Sequence, residues 1–195
     1  ATEEVSDNAD DAGSSGVDAI NGIAGALAGA GITAKVAEIA AAVYDLADSF
    51  SEAEKTVIAQ TGATGQELDN LMDSSLNVFA SSSAESLNDV AASMTTVQTA
   101  TKLTGDALEE ATQSALTLES ALGLEVSETT RTAGALMKNF GIEAQRAYDI
   151  IAAGAQQGAN QNGDLLDVLN EYSAQYAALG LSAEEFISSL VDGAD

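Results

Sequence analysis

The chain has 195 residues, with 31 acidic and 6 basic side chains, a formal net charge of −25, and no Pro, Cys, His or Trp. Without His or Cys there is no catalytic triad or thiol nucleophile, and no zinc or iron site of the usual ligand types. The charge repels phosphate backbones and anionic membrane surfaces, so we expect no nucleic-acid binding. Hydrophobic residues make up 46% of the chain, much of it Ala, which predicts an all-α protein.

Two unusual segments come first. Residues 1–16 are acidic, small and aperiodic, which predicts a disordered lead-in. Residues 17–34 are apolar and rich in glycine, but their uncharged part is shorter than the ~20 residues that a bilayer span needs. Gly25 and Gly29 have the G-x-x-x-G spacing of closely packed helices, so we favour packing on a neighbour over membrane contact. Position 1 is not Met and no intact signal peptide is evident, so the chain is either a mature product or a piece of a longer protein, and we favour the second.

From residue 35 to 195 the pattern predicts one helical domain, because apolar residues recur at steps of three and four. The inward stripes are Val36–Phe50, Leu68–Phe79, Leu87–Val97, Leu108–Leu122, Ala133–Phe140, Ala147–Ala155, Leu165–Leu179 (with Tyr172 and Tyr176) and Phe186–Leu190. Capping-box spacing predicts helix starts at Ser51 with Glu54, Thr64 with Glu67, Ser82 with Glu85, and Ser182 with Glu185. The start at Ser51 predicts one additional short helix, which has no stripe among those named above.

Three turns share one sequence pattern. A glycine directly follows the end of a stripe, and Leu or Ile comes next, at Gly123–Leu124, Gly141–Ile142 and Gly180–Leu181. Glycine adopts the left-handed conformation that closes a helix, and the next apolar residue can fold back onto that helix. The pattern predicts an array or bundle of short antiparallel helices joined by glycine-containing turns. The heptad-like stripes are too short to specify an oligomer.

One loop resembles a calcium site in part. Residues 160–171 place Asn160, Asn162, Asp164 and Glu171 at ligand positions of an EF-hand loop. However, Leu165 stands where the sharp turn requires glycine, and the first ligand is Asn instead of Asp. We therefore interpret the segment as a polar loop with Asp164 as the N-cap of the next helix.

The acidic pairs Glu109–Glu110 and Glu184–Glu185 are poor candidates for acid–base chemistry, since adjacent helical residues point in different directions. Tyr172 and Tyr176 lie one turn apart and are expected to pack with their hydroxyls at the edge of the core. No phosphate-binding glycine motif, nucleophile elbow or metal cluster is recognisable. The sequence thus offers no catalytic, cofactor-binding or metal-binding residue, and we expect no enzyme.

Residues 123–193 resemble the helical region of tail tape measure proteins of long-tailed bacteriophages and prophages. The resemblance lies in three phrases in this order: NFGIEAQRAYDIIAAGAQ, NGDLLDVLNEYS and LGLSAEEF. Upstream, TGATGQELDNLMD at 61–73 is similar to a phrase common in the same proteins.

The resemblance implies a structural protein. Tape measure proteins lie inside the tail tube, set tail length during assembly, and leave when DNA is ejected. The implied location is the virion tail, after assembly in the host cytoplasm, and the implied partners are tail tube and tail assembly proteins, with self-association open. The glycine stops favour a compact helical module over an uninterrupted ruler. The alternative is a secreted or surface helical interaction module, a class that includes amphipathic lipid binders.

Overall fold

The computed structural model describes residues 33–82 and 84–193, with side chains from Ala47 onward. The predicted disordered lead-in at 1–16 and nearly all of the glycine-rich segment at 17–34 lie outside the described residues. The chain divides into two units, Ala1–Ser51 and Glu52–Asp195. In the first unit the structure describes only the beginning of one helix, and the second unit contains the remaining helices and the core.

Within the described residues the chain forms eight α-helices and no strand, which confirms the predicted all-α class. They are α1 (Thr33–Thr61), α2 (Gln66–Ser81), α3 (Leu87–Thr101), α4 (Asp106–Leu122), α5 (Val126–Phe140), α6 (Ala144–Gln156), α7 (Leu165–Ala178) and α8 (Ala183–Asp192).

Of the four predicted capping boxes, only the one nearest the C-terminus is confirmed. The capping box of Ser182 and Glu185 is present, with the Ser182 hydroxyl accepting from the Glu185 N–H and the Glu185 carboxylate accepting from the Ser182 N–H. At Ser51 and Glu54 the prediction is wrong, because α1 runs through both residues without a break. An N-cap needs non-helical backbone, and spacing alone does not create it inside a long helix.

Two further predicted caps are displaced. α2 starts directly after Gly65, which makes no side-chain cap, so Thr64 does not cap it. Ser86 caps α3 instead of Ser82, and its hydroxyl accepts a hydrogen bond from the Asp89 N–H at 3.1 Å. In both cases a residue closer to the helix takes the N-cap position, but only Ser86 has a side chain that can accept from a free N–H group there.

The glycine turns are confirmed. φ is 68°, 68° and 81° at the three glycines, Gly123, Gly141 and Gly180. Leu124 is buried against the helix that it follows, and the Leu181 N–H donates to the Tyr176 carbonyl at 3.2 Å. Each turn therefore closes its helix with a left-handed residue and satisfies carbonyls that would otherwise lack a partner.

Helices pack in chain order. Among the described helices, every substantial contact joins helices that are one or two places apart along the chain. Successive helices in the series α3, α5 and α7 contact each other and form one layer. Successive helices in the series α2, α4, α6 and α8 form a second layer in the same way. α1 joins the first layer through side chains, since the Thr56 hydroxyl donates to Asn88 Oδ1 on α3 at 2.5 Å. The result is a stack of two-helix units, as in other helical repeat arrays.

The stack repeats with a period of 39 or 40 residues. α3, α5 and α7 begin at Leu87, Val126 and Leu165, which are 39 residues apart, and all three side chains are buried. A repeat unit therefore consists of one helix from each layer together with its turn and loop.

The turns after α1 and α3 show the repeat at the level of single atoms. Thr61 and Thr101, 40 residues apart, each donate a hydroxyl hydrogen bond of 2.7 Å to the carbonyl four residues earlier. The same two hydroxyls accept from the N–H two residues later, at 3.0 and 3.3 Å. Gly65 and Gly105 then share a φ of 58°. One difference stands out, since the left-handed residue is Lys102 in the second turn.

The core combines aliphatic, aromatic and hydroxyl side chains. Tyr148 and Phe186 are the largest fully buried residues, and the Tyr176 ring stacks on Phe186 with a centroid distance of 4.0 Å. Three predicted inward residues are outside: Phe50 is 36% exposed, Tyr172 is 43% exposed and Leu179 is 77% exposed. The stripe on α7 has the right period, but a period does not tell whether a neighbouring helix is present to cover it.

Candidate functional surfaces

In the loop that resembles a calcium site, the first candidate ligand makes a hydrogen bond to the backbone. Asn160 Oδ1 accepts from the Leu165 N–H at 3.2 Å, so the residue at the first ligand position helps to start α7. Asp164 holds the N-cap position but makes no side-chain cap, which corrects the predicted role of that residue. Among the described residues there is no group of three or more acidic side chains that could hold a metal ion.

Three residues of the acidic pairs Glu109–Glu110 and Glu184–Glu185 make structural contacts. Glu109 accepts a hydrogen bond from Asn77 Nδ2 at 3.3 Å, which ties α4 to α2. Glu184 forms an ion pair of 2.6 Å with Arg146, which ties α8 to α6, and Glu185 belongs to the capping box. The structure thus gives these carboxylates roles in holding helices together.

Glu184 is the carboxyl group whose pKa the structure visibly perturbs. Its pKa lies below the ordinary value chiefly because its carboxylate accepts a hydrogen bond from the backbone, and next because it accepts one from the Arg146 guanidinium. Both bonds stabilise the ionised form. Arg146 and Glu184 keep about half of their side-chain surface in solvent, so the pair contributes little to stability.

Two shallow grooves follow the second layer. The larger, about 540 Å³, lies between α2 and α4 and is lined by Glu67, Asp73, Asp106 and Glu109 among other polar residues. The smaller, about 360 Å³, lies between α4 and α6 beside Tyr148. Both are open and lined mainly by polar residue types, which suits surface contact better than enclosure of a small ligand.

Polar pairs between helices of the first layer were not predicted from the sequence. Asn139 Nδ2 donates to the buried Ser173 hydroxyl at 2.7 Å, and the buried Thr132 hydroxyl donates to the Leu166 carbonyl at 3.1 Å. Gln60 accepts from the Thr95 hydroxyl at the α1–α3 boundary. A comparison of the sequence with itself at a shift of 39 or 40 residues could have indicated these positions.

One further ion pair and the hydropathy of the helices complete the description of the surface. Arg131 and Asp167 form an exposed ion pair of 3.3 Å between α5 and α7. In the part of the chain that the structure describes, no helix is both long and apolar enough to cross a bilayer. The predicted membrane alternative at 17–34 falls almost entirely outside that part.

Comparisons with known proteins agree with the resemblance. Residues 103–195 match the family described as phage-related minor tail protein. The chain is 38% identical over 82 residues to the probable tape measure protein of Streptomyces phage phiC31, which covers 42% of this chain and 11% of that relative. The chain therefore spans about a tenth of the length of the curated relative it matches. No solved structure is significantly similar to it. The resemblance predicted from the sequence is confirmed: residues 103–195 are a helical region related to phage minor tail and tape measure proteins.

Proposed function

We propose that the chain is part of a tape measure protein and acts as a structural module in the phage tail, by helix packing and without catalysis. The observation that carries the proposal is the coincidence of two findings. The region that matches the minor tail protein family, residues 103–195, contains α4 to α8, which continue the repeat array without interruption. The features of this region serve packing: buried apolar stripes, left-handed glycine turns and hydrogen bonds between helices.

The array is compact along the chain direction. As one continuous helix, residues 52–193 would extend about 210 Å, at about 1.5 Å per residue. Packed helices lie about 8–10 Å apart, so each two-helix unit advances the stack by only about that distance. We therefore infer that this region contributes little to a tail ruler while it is folded, and that tail length is set mainly by other parts of the protein.

Tail tube and tail assembly proteins are the partners that this role requires, and the virion tail is the location. Release during DNA ejection would require the array to unstack. Contacts that reach only one or two helices along the chain favour such stepwise opening, because the stability of an array is approximately a sum of unit and neighbour terms. The lipid-binding alternative has no support from a described contact or from the comparisons.

A phage carrying Leu136→Asp in this protein tests the structural role. Leu136 is fully buried on α5, so an aspartate should unfold the array and give particles with absent or aberrant tails in electron micrographs. Ser188→Asp is the matched control, because Ser188 is exposed on α8. Normal tails and normal plating with Leu136→Asp, or a protein absent from purified virions, would refute the proposal.

Deletion of residues 126–164 tests the length inference separately. This removes one repeat unit and joins Glu125 to Leu165, which has the place in its unit that Val126 has. A folded array predicts tails within about 10 Å of the parental length. A region that is extended in the tail predicts a shortening of about 58 Å at about 1.5 Å per residue.

A further inference from the structure

Helix α7 exposes most of a stripe of side chains that α3 and α5 bury. The end stripe consists of Val168, which is half-buried, and of Tyr172, Gln175 and Leu179, which are exposed. With a shift of 39 residues, the same positions in α5 are Thr129, Ala133, Leu136 and Phe140, of which the first three are fully buried and the last packs on the core. In α3 they are Val90, Met94, Val97 and Thr101, of which the first three are at most 1% exposed.

The structure explains this difference by position in the array. The same two positions meet at each boundary between successive helices of the first layer: Gln60 with Thr95, Ala100 with Gly134, and Asn139 with Ser173. Ala178 holds the corresponding place on α7. In the described ranges 33–82 and 84–193 no later helix of this layer meets it. α7 thus keeps the face of an internal helix without a neighbour.

We propose that the end stripe is the docking surface for a fifth helical hairpin of the same repeat, supplied by the same polypeptide and packed on α7 as α7 packs on α5. Continuity of an existing interface is the main argument, because the stripe repeats positions that are buried on α3 and α5, where the next unit is present. The size of the relative is the second argument, since this chain spans only 11% of it. The inference is independent of the tail function.

A second copy of the chain is a poorer occupant. Placed in the same register, its α1 would bring the backbone at Asp48 close to Glu171, because these positions correspond to Leu166 and Thr132 at the α5–α7 boundary. Two acidic residues would then lie near each other, and the net charge of −25 on each copy adds to the repulsion.

The geometry also predicts which side chains the docking helix needs at three positions. Opposite Ala178 it needs a small or hydroxyl residue, as Ser173 is opposite Asn139 and Gly134 is opposite Ala100. Opposite Glu171 it needs a neutral or basic residue. Apolar side chains must cover Tyr172 and Leu179, which together make the largest exposed apolar contribution on α7.

The test compares residues 1–195 with the polypeptide extended through the residues that follow 195 in its open reading frame. Surface labelling of tyrosine is read by mass spectrometry, with buried Tyr148 as the internal reference. We expect labelling of Tyr172 to slow several-fold in the extended protein and to be independent of concentration in the shorter one. Leu179→Lys should lower the Tm of the extended protein by several degrees and leave the shorter protein unchanged, whereas Ser188→Lys should affect neither.

Three results would overturn the proposal. Equal labelling of Tyr172 in both proteins would show that nothing in the longer chain covers the stripe. Protection that appears in residues 1–195 as concentration rises would assign the stripe to a second copy. A reading frame that ends at residue 195 would leave no hairpin to supply.

Discussion

Lys102 is the one described residue other than glycine that has a left-handed backbone, with φ of 63°. The equivalent residues of the other units are Gly62, Gly141 and Gly180, with φ of 72°, 68° and 81°. A residue with a Cβ pays about 1–2 kcal/mol for this conformation, whereas glycine pays about 0.4–1 kcal/mol in additional chain entropy on folding. At equal charge, that is relative to Lys102→Ala, Lys102→Gly should therefore stabilise the array by about 0.5–1 kcal/mol, or about 1–4 °C in Tm for a unit of this size.

The contribution of the Lys102 charge to stability must be distinguished from the contribution of its backbone conformation. A cation near the end of α3 interacts favourably with the helix dipole, by about 0.3–1 kcal/mol at an exposed site. Lys102→Ala removes the charge but keeps the Cβ, so the difference between the Gly and Ala variants reports the backbone alone. Urea unfolding followed by circular dichroism at 222 nm measures all three proteins. Equal stability of the Gly and Ala variants would refute the assignment of strain, and Gly141→Lys should show the opposite sign.

Three other changes test the packing and the buried polar groups. A Cβ added to Gly154 would overlap Ile187, 2.8 Å from its Cγ1, so Gly154→Val should destabilise the fold by about 1–3 kcal/mol, measured by urea unfolding. Burial raises the pKa of Tyr148 above 10.0, so Tyr148 ionises at a lower pH in the unfolded chain than in the folded protein. The folding stability that is present below pH 10 should therefore decrease as the pH rises above 10. Tyr148→Phe should make this decrease smaller in thermal melts. Asn139→Ala should cost about 1–2 kcal/mol in the same assay, because the buried Ser173 hydroxyl loses its partner.

Each of these predictions has a control. Ile187→Val should recover part of the loss caused by Gly154→Val if the two side chains collide, and purely additive losses would contradict the contact. Tyr172→Phe changes an exposed residue and should leave the alkaline profile as it is in the parent protein. Gln156→Ala removes an exposed amide and should be nearly neutral, so a loss equal to that of Asn139→Ala would argue against the hydrogen bond to Ser173.

Local features of the fold could be predicted from the sequence. The turns at Gly123, Gly141 and Gly180 and most of the stripes from α2 onward depend on residues close together in the chain, and the structure confirms them. Caps were less predictable, since several Ser and Thr residues compete and a shift of a few residues decides which one lies at the helix start, as at Ser82 and Ser86.

Features that depend on distant residues could not be predicted in the same way. Hydrogen bonds such as Asn139 with Ser173 join residues 34 apart, and hydrophobic periodicity carries no information about them. The exposure of Tyr172 and Leu179 depends on whether another helix follows, not on their own period. The Thr-x-x-Thr-Gly phrases at 61–65 and 101–105 did contain the repeat, and only a comparison at a shift of 40 residues reveals it.

The repeat links the fold to the proposed role. In a globular domain the removal of 39 residues destroys a shared core, but here substantial contacts reach at most two helices along the chain. Removing residues 126–164 should bring α3 against α7, where Ala100 would meet Ser173 in place of Asn139. Both are small, so the new boundary can close without a collision. An array with this property can vary in length or open from one end while the remaining units stay folded, which is what a tail module must do if it is assembled compactly and released later.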